Sequence, residues 1–292
     1  MALIGAIEAG GTKFMLAIAN EDGTLIETTR IETRDPQETF SDVVQWFTAG
    51  KLQHGDIAAF GVAGFGPLDT NPASPTYGTI TTTPKPGWSG ASYAAALRGF
   101  GVPVQIDSDV NGAALGEWRS GAGQGKFCVA YTTVGTGIGT GIVSRGQAVG
   151  GISHLEAGHI RPSRPAGDEW PGNCPYHGDC LEGLASGPAI LARWGHDLSS
   201  ASDEQVELIA NYLSEFAMTL ALTHMPDLMI FGGGVMKAPG LIESMRIQTR
   251  AKLAGYAAAY DRDLSDLIVS PQLGDAAGIA GAVELGRQAL RG

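Results

Sequence analysis

The sequence predicts an α/β fold made of two related lobes. Two observations carry this. The segments "LIGAIEAGGTKFMLAIANEDG" (3–23) and "CVAYTTVGTGIGTGIVSRG" (128–146) share one plan: apolar run, glycine-rich turn, apolar run, polar turn. Each reads as a strand–turn–strand hairpin with a glycine-lined tip. Strand-like and helix-like stretches then alternate after each hairpin, the pattern of an α/β domain. The likeness fits an internal duplication and, equally, two unrelated glycine-rich hairpins. A chain of 292 residues is long enough for about two domains, each with its own core.

The elements follow in order. "DPQETFSDVVQWFTAG" (35–50) predicts a helix, with Phe40, Val43, Val44 and Phe47 on one face. "IAAFGVAGFGP" is a buried strand running into a glycine loop, and "SGASYAAALRGFG" a short helix ended by glycine. "VPVQID" is a strand, and "SDVNGAALGEWRSG" starts a helix directly after it. The boundary between lobes is expected near Trp118–Lys126, giving an N-terminal lobe over 1–118 and a C-terminal lobe over 119–292. In the second lobe "SDEQVELIANYLSEFAMTLALTHMP" is the clearest helix. Ser202 and Gln205 form a capping-box pattern, Val206, Ile209, Leu213, Phe216 and Leu220 make one face, and Pro226 stops it. "DLMIFGGGV" is a strand ending in three glycines, and "AAGIAGAVELGRQALR" a small-residue helix.

Charge narrows the function. The formal net charge is −11 with no basic stripe, which disfavours nucleic acid and anionic membrane as partners. An anionic substrate then needs local holders: backbone N–H groups, a metal or a few cations. "MALIGAIEAGG" lacks a basic leader region, and Glu8 interrupts its apolar stretch. The longest uncharged run, Phe127 to Ser144, is rich in Thr and Gly and alternates like a hairpin, unlike a membrane helix. A cytoplasmic location is expected, where thiols stay reduced.

Five clusters carry candidate chemistry. In "EAGGTK" Gly10 and Gly11 let backbone N–H groups face one concavity, Thr12 adds a hydroxyl and Lys13 a cation; alone, the segment reads more often as a plain turn. "VGTGIGTG" offers Gly135, Thr136 and Gly137 in the equivalent hairpin, and "FGGGV" offers Gly232, Gly233 and Gly234 as a flat surface for a base or ribose. In "DSDVN" Asp107, Asp109 and Asn111 follow a strand and begin a helix, so each is a candidate cap or, for a carboxylate, a general base. The fifth cluster lies in "HIRPSRPAGDEWPGNCPYHGDCLE" (159–182), which holds two of the three cysteines. Cys174, His177 and Cys180 lie three residues apart, and His159 completes a set of four. Two thiolates and two imidazoles suit zinc, and a full set with no spare ligand implies a structural site. Cys128, in a predicted strand, reads as a small buried hydrophobe.

Together these segments resemble the ROK family, and within it the bacterial fructokinase branch. "EAGGTKF", "GVAGFGPLD", "TTPKPGW", "DSDVNGAALGEW", "TTVGTGIGTG", "EAGHI", "CPYHGDCLEGLASGPAI", "FGGGV" and "LGDAAGIAGA" stand in the family's order over nearly the whole chain. The resemblance implies the actin-like ATPase (ribonuclease H-like) fold, two lobes with an interlobe cleft, and a C-terminal helix of about 275–292 packing back on the first lobe. It implies ATP phosphates at Gly10, Gly11, Thr12, Lys13, Gly135, Thr136 and Gly137, and adenosine at Gly232, Gly233 and Gly234 in the lobe that also carries the metal loop. Asp109 matches the catalytic base. Ser108, Glu156, His159 and Glu182 match sugar-contacting positions, and His159, Cys174, His177 and Cys180 match the zinc ligands. Ser108 stands where many family sugar kinases have Asn, and Glu8 where many actin-fold kinases have Asp.

The expected function is an ATP-dependent hexose kinase making fructose 6-phosphate, with Mg2+ accompanying ATP and a structural Zn2+, as a homodimer. Mannose, glucose or an amino sugar is the alternative substrate. A sugar-sensing regulator is the alternative of another class, disfavoured because no DNA-binding segment precedes the strand starting at Leu3.

Overall fold

The computed structural model describes residues 2–292. The elements run β1 (Leu3–Ala9), β2 (Lys13–Asn20), β3 (Leu25–Glu32), α1 (Pro36–His54), β4 (Ile57–Gly64), α2 (Tyr93–Leu97), β5 (Val104–Ser108) and α3 (Asp109–Ser120). They continue as β6 (Cys128–Val134), β7 (Ile138–Ser144), β8 (Gln147–Ala148), α4 (Leu181–Ala185), α5 (Gly187–Trp194), α6 (Asp203–His224), β9 (Leu228–Gly232), α7 (Leu241–Leu253), β10 (Ile268–Val269) and α8 (Ala277–Ala289). Two compact units result. The first takes the chain up to Gln124 with Gly146–His154 and Leu273–Gly292; the second takes Gly125–Arg145 and Leu155–Gln272.

The first unit holds a sheet of order β3-β2-β1-β4-β5. β1 pairs antiparallel with β2 and parallel with β4, and β4 pairs parallel with β5. In the second unit β7-β6-β9-β10 repeat the order and sense of β2-β1-β4-β5. The same order in the same directions favours a duplicated architecture over two coincidentally similar hairpins. β1 is buried along nearly its whole length, as a central strand covered on both faces should be. β3, at the edge, alternates half-buried with exposed and carries Thr28, Thr29 and Arg30.

Helix ends follow the capping signals, with one instructive difference. Asp35 caps α1 by accepting from the Glu38 N–H at 3.0 Å, and Pro36 occupies the first turn. The expected end at Gly50 is passed, and α1 continues to His54 before Gly55 ends it at φ 105°. Gly50 is interior because this face lies on Ile18, whose Cδ1 would be 2.3 Å from an added Cβ. The capping box on α6 forms, and Ile209, Leu213, Phe216 and Leu220 are buried.

The core of the first unit is aromatic. Phe14, Phe47, Phe60, Trp88 and Tyr93 are all buried, and the Phe47 and Phe60 rings meet edge-on at 4.9 Å. The other side of the sheet is closed by α8, which packs on α3, β4 and β1. This contact is backbone against backbone. A Cβ added at Gly281 would lie 1.7 Å from the Gly112 oxygen, and one at Gly61 would lie 1.9 Å from the Ala282 oxygen. Gly281→Ala is therefore expected to destabilise the protein by about 3 kcal/mol, since α8 must lift off α3 to admit one methyl. Gly99→Ala, where an added Cβ meets nothing within 4 Å, is the control and should stay within about 0.5 kcal/mol. Urea unfolding of both variants checks this; equal midpoints would contradict the packing argument.

Candidate active site

In the first unit the candidate groups gather where β1 and β5 end. The β1–β2 turn is closed by the Gly10 N–H donating to the Lys13 oxygen at 2.9 Å, and Thr33 braces it by donating to the Gly10 oxygen at 2.8 Å. Gly11 and Thr12 stand exposed at the tip. β5 delivers Asp107 and Ser108 opposite Ala63 and Gly64 of β4, and α3 begins at Asp109. The helix cap is Ser108, whose Oγ accepts from the Asn111 N–H at 3.2 Å. None of Asp107, Asp109 or Asn111 is the capping residue, which corrects the expectation that the cap lies among them. Ser108 is buried, and a hydroxyl that accepts one hydrogen bond also carries a proton to donate. Asp107 is held from within, accepting from the Ser108 N–H and from Asn111 Nδ2, both at 2.7 Å. Burial pushes its carboxyl above the usual range, with those two bonds and His154 acting the other way. Asp109 is exposed at the helix N-terminus, where its Oδ1 accepts from the Val110 N–H at 2.9 Å.

Glu8 lies against the first turn of α8, where an added Cβ on Gly278 would come within 2.5 Å of its carboxyl carbon. Burial raises its pKa to about 7; Lys13 lowers it, Asp109 and Asp275 add to the rise, and the Ile279 N–H supports the charged form. Its Oε2 is buried without a hydrogen-bond partner. An orphaned oxygen among carboxylates is the donor chemistry that a hydrated divalent cation satisfies.

In the second unit two glycine loops meet around one cavity. Val134 of β6 pairs with Ile138 of β7, so Gly135–Gly137 form the hairpin tip, closed by the Gly135 N–H donating to the Gly137 oxygen at 2.9 Å. β9 runs parallel to β6 and ends at the same level, with Thr133 opposite Gly232. A cavity of about 470 Å³ is lined by Gly135, Thr136, Gly187, Gly234, Lys237 and neighbouring residues. Gly137, Gly232 and Gly233 are not in its lining. Gly233 has another duty: its φ is +96°, and an added Cβ would fall 2.3 Å from the Val134 oxygen. Gly187 and Lys237 were missed by the sequence reading. The clue at Gly187 is Ser186 followed by Gly187 and Pro188, a helix start; the structure joins it to the hairpin by the Gly187 N–H donating to the Gly135 oxygen at 2.8 Å.

His159, Cys174, His177 and Cys180 converge, with one donor atom from each lying within 4.8 Å of the rest. His159 Nδ1 is 3.5 Å from Cys180 Sγ and 3.8 Å from Cys174 Sγ, and His177 Nδ1 is 3.7 Å from Cys174 Sγ. A tetrahedral ion with nitrogen at about 2.0 Å and sulfur at about 2.3 Å places N and S about 3.5 Å apart, close to these three separations. Without a cation the arrangement is costly for a thiolate: burial pushes the Cys180 thiol up to about 11, and the Cys174 sulfur beside it acts in the same direction. Because His159 Nδ1 faces the sulfurs, its Nε2 is left for a second partner. Glu156 is exposed just before the short turn Ala157–His159, and Glu182 lies in the first turn of α4.

The ROK family model matches residues 4–289. A fructokinase of Zymomonas mobilis is 43% identical over 97% of this chain and 96% of its own length. The ROK hexokinase of Thermus thermophilus aligns over 99% of both chains with a TM-score of 0.82 and 26% identity. A ROK family glucokinase from Streptomyces griseus, solved with glucose and AMPPNP, aligns over 98% of this chain and 100% of its own, with a TM-score of 0.71 and 26% identity.

The Glu8 carboxyl sets a pH dependence. With a folded-state pKa near 7 against 4.5 for an ordinary glutamate, the folded chain keeps a proton that the unfolded chain has released between those values. Stability therefore falls as pH rises through that window. Glu8→Gln, neutral throughout, should flatten this part of the profile and be more stable than the parent above pH 7. Urea midpoints at pH 5 and 7.5 read the difference; parallel profiles would contradict it.

Proposed function

The chain belongs to the ROK family, and we propose that it is an ATP-dependent hexose kinase whose substrate is fructose and whose product is fructose 6-phosphate. The observation that carries the ATP half is the single cavity shared by Gly135, Thr136 and Gly234, which the sequence offers in separate loops. An open cavity lined by Gly135, Gly187 and Gly234, with Lys237 and Ser199 also in its lining, leaves the backbone accessible and suits a nucleotide. Fructose is supported by the 43% identity to the Zymomonas mobilis fructokinase.

Asp109 is the proposed catalytic base. A sugar hydroxyl is a weak nucleophile until its proton has an acceptor, and a carboxylate within hydrogen-bond reach takes that proton and orients the oxygen toward phosphorus. Asp107 is less suited, being committed to Ser108 and Asn111. Ser108, Glu156, His159 and Glu182 are proposed to hold sugar hydroxyls, His159 through Nε2. The turn at Gly10, Gly11, Thr12 and Lys13 supplies N–H groups and a cation for phosphate oxygens, and Gly137 keeps its hairpin tip narrow. Gly232 and Gly233 shape the turn that presents Gly234. Mg2+ bound with ATP would supply charge neutralisation at the phosphates, and Glu8, whose buried Oε2 has no hydrogen-bond partner, is proposed to order its water shell.

The metal at His159, Cys174, His177 and Cys180 is proposed to be a structural zinc. The cytoplasm supplies ATP and the reduced thiols this site needs, and a homodimer is the proposed assembly.

A coupled ADP-release assay over a panel of hexoses tests the function. Fructose should give the highest kcat/KM; glucose or an N-acetylhexosamine ahead of it by about tenfold would reject the substrate while sparing the kinase. In that assay Asp109→Asn should lower kcat by about 10²-fold or more, with Asp107→Asn much milder. The reverse ranking would move the base to Asp107. For the metal, elemental analysis of freshly purified protein should find about one zinc per chain, and Cys180→Ser should lose it. A metal-free preparation of the unchelated parent would contradict the assignment.

A further inference from the structure

Both ends of the metal loop close on the backbone of one residue, Ile138: one on its N–H, the other on its carbonyl oxygen. From one end, Glu182 Oε2 accepts from the Ile138 N–H at 2.9 Å. From the other end, Gly158 presses so tightly that an added Cβ would lie 1.8 Å from the Ile138 oxygen. These two residues flank the metal donors: Gly158 precedes His159, and Glu182 follows Cys180 by two. Cys180 also starts α4, its Sγ accepting from the Gly183 N–H at 3.4 Å, so the sulfur that faces the metal sets the direction in which Glu182 leaves. Leu181 completes the closure by donating to the Ile160 oxygen at 2.8 Å.

Ile138 is where the glycine hairpin tip returns to β7, and the tip lines the nucleotide cavity through Gly135 and Thr136. Gly137 touches the same carboxylate, since an added Cβ there would meet Glu182 Oε2 at 2.8 Å. A glycine-rich tip has little side-chain packing to fix its shape. Within the second unit two outside hydrogen bonds hold it, one from the Gly187 N–H to the Gly135 oxygen and one from the Ile138 N–H to Glu182.

We propose that Glu182 is a positioning residue for the nucleotide: by holding the Ile138 N–H it ties the shape of the glycine hairpin to the metal loop, so that metal occupancy governs nucleotide binding even when no sugar is present. This rests on the kinase reading and extends the proposed role of Glu182 beyond sugar contact. One carboxylate oxygen, Oε2, is committed to the hairpin.

The test is the Kd of AMPPNP with Mg2+, measured by calorimetry on the full chain without any sugar. Glu182→Ala should weaken it by about tenfold, as loss of a hydrogen bond to a charged acceptor does. Glu182→Gln keeps an acceptor at the same reach and should stay within about twofold of the parent. Glu182→Asp, one methylene short, should behave like the alanine variant, and it serves if circular dichroism finds Glu182→Ala unfolded. Removing the metal from the parent with a chelator should weaken AMPPNP to a similar degree, and added Zn2+ should restore it. Unchanged AMPPNP affinity in folded Glu182→Ala or Glu182→Asp would overturn the staple. Unchanged affinity in the metal-free parent would overturn the link to the metal. A parent that binds no AMPPNP at all would overturn the kinase reading itself.

Discussion

The first unit depends on the approach of α8 to α3 and β4, which only glycine allows. Gly281 lies on Gly112, and Ala282 lies on Gly61, at separations that leave no room for a Cβ. That contact does more than close a core. It fixes the start of α3, where β5 ends at Asp107 and Ser108 and the helix begins at Asp109, and it brings the first turn of α8 over Glu8. The burial that raises the Glu8 pKa therefore comes from the same packing that holds the proposed base in place. A helix separated in sequence from α3 by the whole second unit is thus part of the chemistry of the first.

The second unit solves a different problem. Its glycine hairpin lines the cavity with Gly135 and Thr136, and its glycines lack the side chains that would hold it still. The surrounding chain supplies the constraint. The Gly187 N–H holds the Gly135 oxygen, and Glu182 holds the Ile138 N–H. The loop that carries Glu182 is itself irregular over its length, and its four donors lie at the spacing of a tetrahedral ion. A second anchor secures it: the buried carboxylate of Asp168 accepts from Arg164, Arg193 and Tyr212, and Arg164 also reaches Asp179, next to Cys180. These contacts hold Asp168 well below the usual carboxylate range against the cost of its burial.

What the sequence made legible followed the range of the interactions. The capping box of Ser202 and Gln205, and three of the four metal donors, each lie within a few residues of one another, where spacing alone carries the geometry. The two hairpins were readable for the same reason. The repeated strand order was not, because pairing of β1 with β4 and of β6 with β9 joins distant segments. The helix predicted over 35–50 runs on to His54, because Gly50 packs on Ile18 inside the helix and the chain ends it at Gly55. The bond between Glu182 and Ile138 spans 44 residues and leaves no local mark. Ser108 is the subtler case: the eye goes to the carboxylates in "DSDVN", while the hydroxyl between them is the cap.

The central claim is that this chain transfers the γ-phosphoryl group of ATP to O6 of fructose with Asp109 as the base. A crystal structure with fructose, Mg2+ and AMPPNP tests it most directly, through the distance from the Asp109 carboxylate to the sugar oxygens. The account predicts O6 within about 2.6–3.2 Å of Asp109, with the adenosine in the cavity lined by Gly135 and Gly234. A different hydroxyl in that position, or O6 seated instead on Asp107, would contradict it.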